Sequence, residues 1–172
     1  MKWLFIAPLI VLLSVAACAQ GTTKKPADFS LALDWHSGSL PEPYAYAFAL
    51  RLGPGPDGEL VYRPGGQSGE WQTKFNLPEG RLDALYQFLA ENKALRSRWQ
   101  EGDPVDGAPW TAIQMRENGR GHTIPTASEL SETERGLVEH IIAEIRDCVP
   151  PEVWEEMEAR QARVESEFFN GQ

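Results

Sequence analysis

Three histidines, two cysteines and 25 carboxylates are the side chains of this 172-residue chain whose types could do chemistry. Asp34 and His36 alternate along an extended stretch and would project from one strand face, roughly 6.6 Å apart. Such a pair could orient an imidazole as a base or donate to a metal. The spacing supplies no third ligand, so the expectation is the polar outer face of an amphipathic strand. His122 follows Gly121 in a hairpin arm, and His140 sits between Glu139 and Ile141 on a helix; neither stands at zinc spacing from another ligand. No Gly-x-Ser-x-Gly elbow, His-Glu-x-x-His helix or phosphate-cradling glycine loop occurs. The glycine-rich "RPGGQSGEW" joins two strands and precedes no helix. Two carboxylates would suffice for a glycoside hydrolase, but only at separations of about 5 Å or 6.5–9.5 Å, which a sequence does not fix. Glu152, Glu155, Glu156 and Glu158 read more simply as a solvated face near a helix N-terminus. Catalysis has no specific signal here, and no motif calls for a cofactor or a metal.

Aromatic residues are the better lead. Trp35 and Trp71 fall on apolar strand faces and read as core. Trp99 lies among Arg96, Arg98, Gln100 and Glu101, and Trp110 closes a Pro/Gly loop. Arg96, Arg98, Trp99 and Trp110 are therefore the candidate binding residues, because tryptophan beside arginine is the composition of interface hot spots. The competing expectation is a tryptophan folded over the end of a small core. Tyr44, Tyr46 and Phe48 could stack sugar rings, although a meander needs one apolar face in any case.

The N-terminus speaks of location. Lys2 precedes fifteen uncharged residues, Trp3 to Ala17, a run shorter than the roughly 20 needed to span a bilayer. A basic start, a short apolar core and small residues at its end describe a secretory signal peptide over residues 1–17. Val15-Ala16-Ala17-Cys18 resembles the lipobox of bacterial lipoproteins: an aliphatic residue, two small ones, then cysteine. The resemblance implies a diacylglyceryl group on the Cys18 thiol, cleavage before it, and acylation of the new amine. Ala19 stands where members kept at the inner membrane carry Asp, which implies the outer membrane, facing the periplasm. Ala17-Cys18-Ala19 is also a small-x-small site, and ordinary cleavage there would release a soluble chain starting at Gln20. The two outcomes differ physically: at about 0.8 kcal/mol per buried methylene one acyl chain holds marginally, and two or three make a durable anchor.

Losing residues 1–17 takes the formal charge from −9 to −10, which argues against nucleic acid as a partner because phosphate contacts need clustered Lys and Arg. With Cys18 acylated, Cys148 has no disulfide partner; it stands in register with Leu137, Val138, Ile141 and Ile145 and is expected to be buried. Without acylation a Cys18–Cys148 bridge becomes possible.

Residues 18–27 read as a lipidated cysteine and flexible tether with a reach of roughly 15–18 Å, and residues 28–172 as one domain. Period-two alternation predicts strands from Phe29, from Tyr44 to Leu52, from Glu59 to Arg63 and from Glu70 to Asn76, an antiparallel meander. Asn76-Leu77-Pro78-Glu79 has the form of a capping box, ahead of a helical stripe of Leu82, Leu85, Phe88 and Leu89. Asn118-Gly119 predicts a hairpin. Ser131 and Glu134 form a second capping box for a helix to Cys148, and Pro151 opens a last helix with Val153, Met157, Gln161, Val164 and Phe168 on one face. The fold class expected is α+β: an antiparallel sheet, a four-strand meander plus a hairpin, with helices packed on one face and a C-terminal helix. This order also resembles small uncharacterised domains of bacterial lipoproteins.

The function expected is a membrane-anchored envelope lipoprotein acting as a non-catalytic binding or interaction module. Its partners would be the membrane, through the lipid, and an envelope protein or glycan. The alternatives are a small envelope enzyme such as a carbohydrate hydrolase, or a hydrolase inhibitor.

Overall fold

The structure, a computed structural model, describes residues 24–65 and 69–170. Cys18 and the rest of the lipobox lie outside the described residues. The strands are β1 (Ser30–His36), β2 (Tyr46–Leu52), β3 (Asp57–Pro64), β4 (Trp71–Asn76), β5 (Trp110–Glu117) and β6 (Arg120–Ile124), and the helices are α1 (Arg81–Glu91), α2 (Glu132–Arg146) and α3 (Pro151–Asn170). Meander and hairpin fuse into one antiparallel sheet ordered β4-β3-β2-β1-β5-β6, so β1 pairs with β2 on one side and β5 on the other. The fold is α+β.

Strand parity sorts the side chains as the alternation dictates. Leu33 faces Leu50 and Ile113 across β1, and Phe48 faces Tyr62. These belong to one buried cluster with Leu85 and Leu89 of α1, Val138, Ile141 and Ile145 of α2, and Val153 and Met157 of α3. All three helices therefore lie on one side. Phe29 packs edge-on against Tyr86 at 4.9 Å, and Phe48 edge-on against Trp154 at 5.4 Å. Each fully buried Phe or Leu contributes about 1.5–3 kcal/mol. The C-terminal helix docks through Val153, Met157 and Val164, with Gln161 hydrogen-bonded to the Tyr62 hydroxyl.

The opposite sheet face carries Asp34, His36, Arg51, Glu59, Arg63, Gln72 and Lys74 around the small side chains Ala32, Ala47, Ala49 and Ala112. Asp34 accepts a hydrogen bond from Arg51 at 2.8 Å, and His36 Nδ1 accepts the Gly38 N–H at 3.1 Å. The pair is thus the polar outer face that the alternation indicates.

The helix starts differ from the capping boxes. α1 is capped by Gly80 at φ 74°, without a side-chain cap. Asn76 ends β4 instead, where it pairs with Asp57. Ser131 does cap α2, but its hydroxyl makes no cap bond. Glu134 is drawn away by Arg96, with which it forms an ion pair. A long-range charge outweighs the local box. At the hairpin, Asn118 (φ 48°) and Gly119 (φ 73°) both take the left-handed conformation of the turn. Their N–H groups donate to Asp28 at 2.8 and 2.7 Å, which holds the Asp28 carboxyl below its usual range and fastens the chain just ahead of β1.

Candidate functional site

Antiparallel pairing gives the domain two ends. The near end holds Asp28, the start of β1 and the β2–β3 and β5–β6 turns. The far end holds the β1–β2 loop, the segment before β5, and the last turn of α3, where Phe169 meets Tyr44 with ring centroids 6.3 Å apart. Among the described residues the exposed large apolar side chains are Leu40, Tyr44, Val105, Trp110, Phe168 and Phe169. Every one belongs to the far end. Single exposed apolar residues are ordinary, whereas all six here share one end of the domain.

Trp110 is 50% exposed. Its position explains why: it pairs with His36 at the first residue of β5 and so lies on the outer parity, in line with Ala112 and Gln114. Beside it, on the inner parity, a pocket of about 460 Å³ opens between α2 and the segment leading into β5. Trp35 is one wall, Ile142 of α2 another, and Val105 and Pro109 form a lip. Trp35 lies in the middle of an aromatic row, packed on Tyr46 at 4.9 Å and stacked on Phe48 at 5.2 Å, so its position is set by the core.

The lip is held by two devices. Arg135 donates to the carbonyls of Ala127 (3.3 Å), Leu130 (3.1 Å) and Asp103 (3.5 Å). Gly38, at φ 74°, lies so close to the same segment that a Cβ there would sit 2.5 Å from the Gly107 carbonyl oxygen. Thr111 Oγ1 accepts the Ala127 N–H at 3.3 Å, and Thr126 Oγ1 accepts the Thr111 N–H at 3.1 Å. These bonds occupy Thr111 and Arg135 and leave the wall mainly apolar, with Glu139 and Ser128 as its remaining polar side chains.

The other candidate binding residues are placed apart from Trp110. Trp99 differs from an open anchor: it is half-buried and packs on the core. The Arg96 guanidinium stacks over its ring at 4.1 Å while pairing with Glu134, so Arg96 is committed within the fold. Arg98 is exposed and, with Trp99, Glu101, Pro104 and Thr123, borders a separate cleft of about 760 Å³. Only Trp110 and Arg98 combine candidacy with exposure. Sequence reasoning missed the pocket because Trp35 reads as core and its other walls come from distant segments of the chain, as far on as Ile142; the outer parity of Trp110 was legible.

The polar constellations belong to the fold. Tyr86 donates to Glu117 at 2.7 Å, and His122 Nε2 lies 3.3 Å from the other Glu117 oxygen. Burial and this bond push the Tyr86 hydroxyl up to about 12. His140 packs edge-on against Phe88. Cys148 is 0% exposed and its thiol is pushed up to about 11 by burial. Among the described residues no group of three His, Cys, Asp or Glu side chains could hold a metal ion, and no helix is long and apolar enough to cross a membrane. No protein-family model matches the chain, and no curated protein matches it.

Proposed function

We propose that this chain is an envelope lipoprotein, anchored to the periplasmic side of the outer membrane by acyl chains on Cys18, and that it acts as a non-catalytic binding module through its far end. The observation that carries the reading is directional. The tether joins the fold at the near end, beside Asp28, and among the described residues every exposed large apolar side chain lies at the opposite end. The seven residues of β1 extend roughly 24 Å, and the tether adds its own 15–18 Å. A surface at the far end is therefore held about 40 Å from the headgroups, where a partner meets it unobstructed by lipid.

The test has two parts. Mass spectrometry of the mature N-terminus should find an acylated cysteine at position 18; an unmodified Gln20 or a bare thiol overturns the anchor. Photo-crosslinking side chains placed at Trp110 and, for contrast, at Arg116 of the near end should yield envelope-protein adducts from the far-end position alone. Equal adducts from both positions, or none, would remove the binding role. Turnover of an envelope glycan by the purified full chain would replace it with the hydrolase reading.

A further inference from the structure

The strongest unassigned feature is the pocket under Val105 and Pro109. At about 460 Å³ it falls within the roughly 300–1,000 Å³ of ligand pockets, which are mostly apolar with a few polar groups. We infer that it receives an apolar side chain of a basic polypeptide segment lying across its mouth. This rests on the far end being the docking surface.

Three observations select that occupant. The first is the wall chemistry: Trp35, Ile142, Val105 and Pro109 offer carbon surface. Of the polar lining side chains, Thr111 is spent on the Ala127 N–H and Arg135 on three carbonyls, which leaves Glu139 and Ser128 to meet a ligand. A glycan needs several unspent donors and acceptors to match its hydroxyls, because a buried hydroxyl left unpaired costs about 1–3 kcal/mol. An apolar side chain needs none.

The second is charge. Glu139 lies on the lining, and Asp103 and Asp106 flank Val105 on the lip. The lining itself carries one cation, Arg135, against Glu139, and the two exposed lip carboxylates add to a chain of formal charge −9. A cationic segment is attracted both at long range and at the mouth, and an acidic one is repelled.

The third is continuity. Val105 is shared between the pocket and the exposed apolar set, and Trp110 adjoins Pro109. A segment seated in the pocket thus crosses onto further apolar surface. A central pocket with an aromatic wall and a polar rim is the arrangement that concentrates binding energy.

The experiment uses the full chain extracted in detergent and three labelled peptides of equal length. In one a leucine is flanked by lysines; in the second that leucine is alanine; in the third the lysines are glutamates. Fluorescence anisotropy gives affinities, and hydrogen exchange maps protection. The Lys-flanked leucine peptide should bind at least tenfold more tightly than either control, with protection in residues 104–111 and 127–142. Glu139→Lys, on the exposed side of α2, should weaken it severalfold without changing the melting midpoint. Ala108→Phe, which fills the pocket, should weaken it at least tenfold. Equal binding of all three peptides, a Kd weaker than about 1 mM for each, or indifference to Glu139→Lys overturns the assignment. So does a chitin oligosaccharide that protects the same segments while the peptides do not. If crosslinks from Trp110 persist while the peptides are rejected, the pocket assignment alone falls. If those crosslinks are lost as well, the far-end reading falls with it.

Discussion

Cys148 lets the proposed acylation of Cys18 be tested by a count of thiols. Its Sγ lies 3.4 Å from the Glu144 carbonyl oxygen and 3.9 Å from that of Arg81, and the residue is 0% exposed. Burial raises the thiol from an ordinary 9.0 to about 11. At pH 8 that leaves about 0.1% thiolate against about 10% for an unshifted group, and thiolate is the reactive form. A disulfide reagent should therefore label native Cys148 at least about 100-fold more slowly than the same residue in the unfolded chain, with exclusion from solvent slowing it further. The assay is reaction with a chromogenic disulfide at pH 8, native and in guanidinium, with the labelled peptide identified by mass. The expected result for the full chain from its host membrane is no fast thiol natively and one thiol, Cys148, after unfolding. A fast native thiol mapped to Cys18 would contradict acylation. No thiol in guanidinium, but two after reduction, would reveal a Cys18–Cys148 bridge. Fast native labelling of Cys148 itself would refute the burial argument.

Other substitutions separate structure from binding. Gly38→Ala forces a side chain to a positive φ and against two carbonyl oxygens; it should cost about 1–3 kcal/mol and lower the calorimetric midpoint by several degrees. Trp110→Ala should leave stability within about 0.5 kcal/mol while reducing partner crosslinking, whereas Trp99→Ala should cost about 2 kcal/mol by removing the ring under Arg96. Equal melting midpoints for those two variants would contradict their assignment. With pH the sign is set by groups raised in the fold: Cys148 to about 11, Tyr62 and Tyr86 to about 12. Their contribution is fully present below the unfolded values, near 9 and 10, and is lost as pH rises through the folded ones. Guanidinium melts should show stability falling between pH 9 and 12, with Cys148 alone contributing up to about 1.4 kcal/mol per pH unit from 9 to 11. A flat profile over that range would refute it.

The sheet was legible because a strand exposed on one face must alternate: Phe29, Leu31 and Leu33 announce their own register, and Asn118-Gly119 its own turn. Helix interiors were legible for the same reason at a different period. Ser131 before α2 and Pro151 at the start of α3 were legible too, but the capping chemistry was not. Gly80 caps α1 through backbone geometry alone, and Glu134 answers Arg96, 38 residues away. The candidate site divides along this line. The exposure of Trp110 follows from parity, a local property. The half-burial of Trp99 follows from an arginine laid over its ring and from the Glu101–Leu130 bridge just beyond it. The bridge is not written in neighbouring residues, and Arg96, though only three positions away, is committed to Glu134, far along the chain. The pocket is the extreme case, since it exists only where a strand, a loop and a helix from distant parts of the chain converge.

The place of β1 in the sheet has a mechanical consequence. The strand that follows the proposed tether is interior, with six residue pairs to β2 and seven to β5. Tension between a bilayer at one end and a captured molecule at the other would run along the strand axes. It would pull β1 lengthwise past both neighbours, straining their hydrogen bonds together rather than unzipping them singly. A molecule wired in this way suits a tether that is tugged.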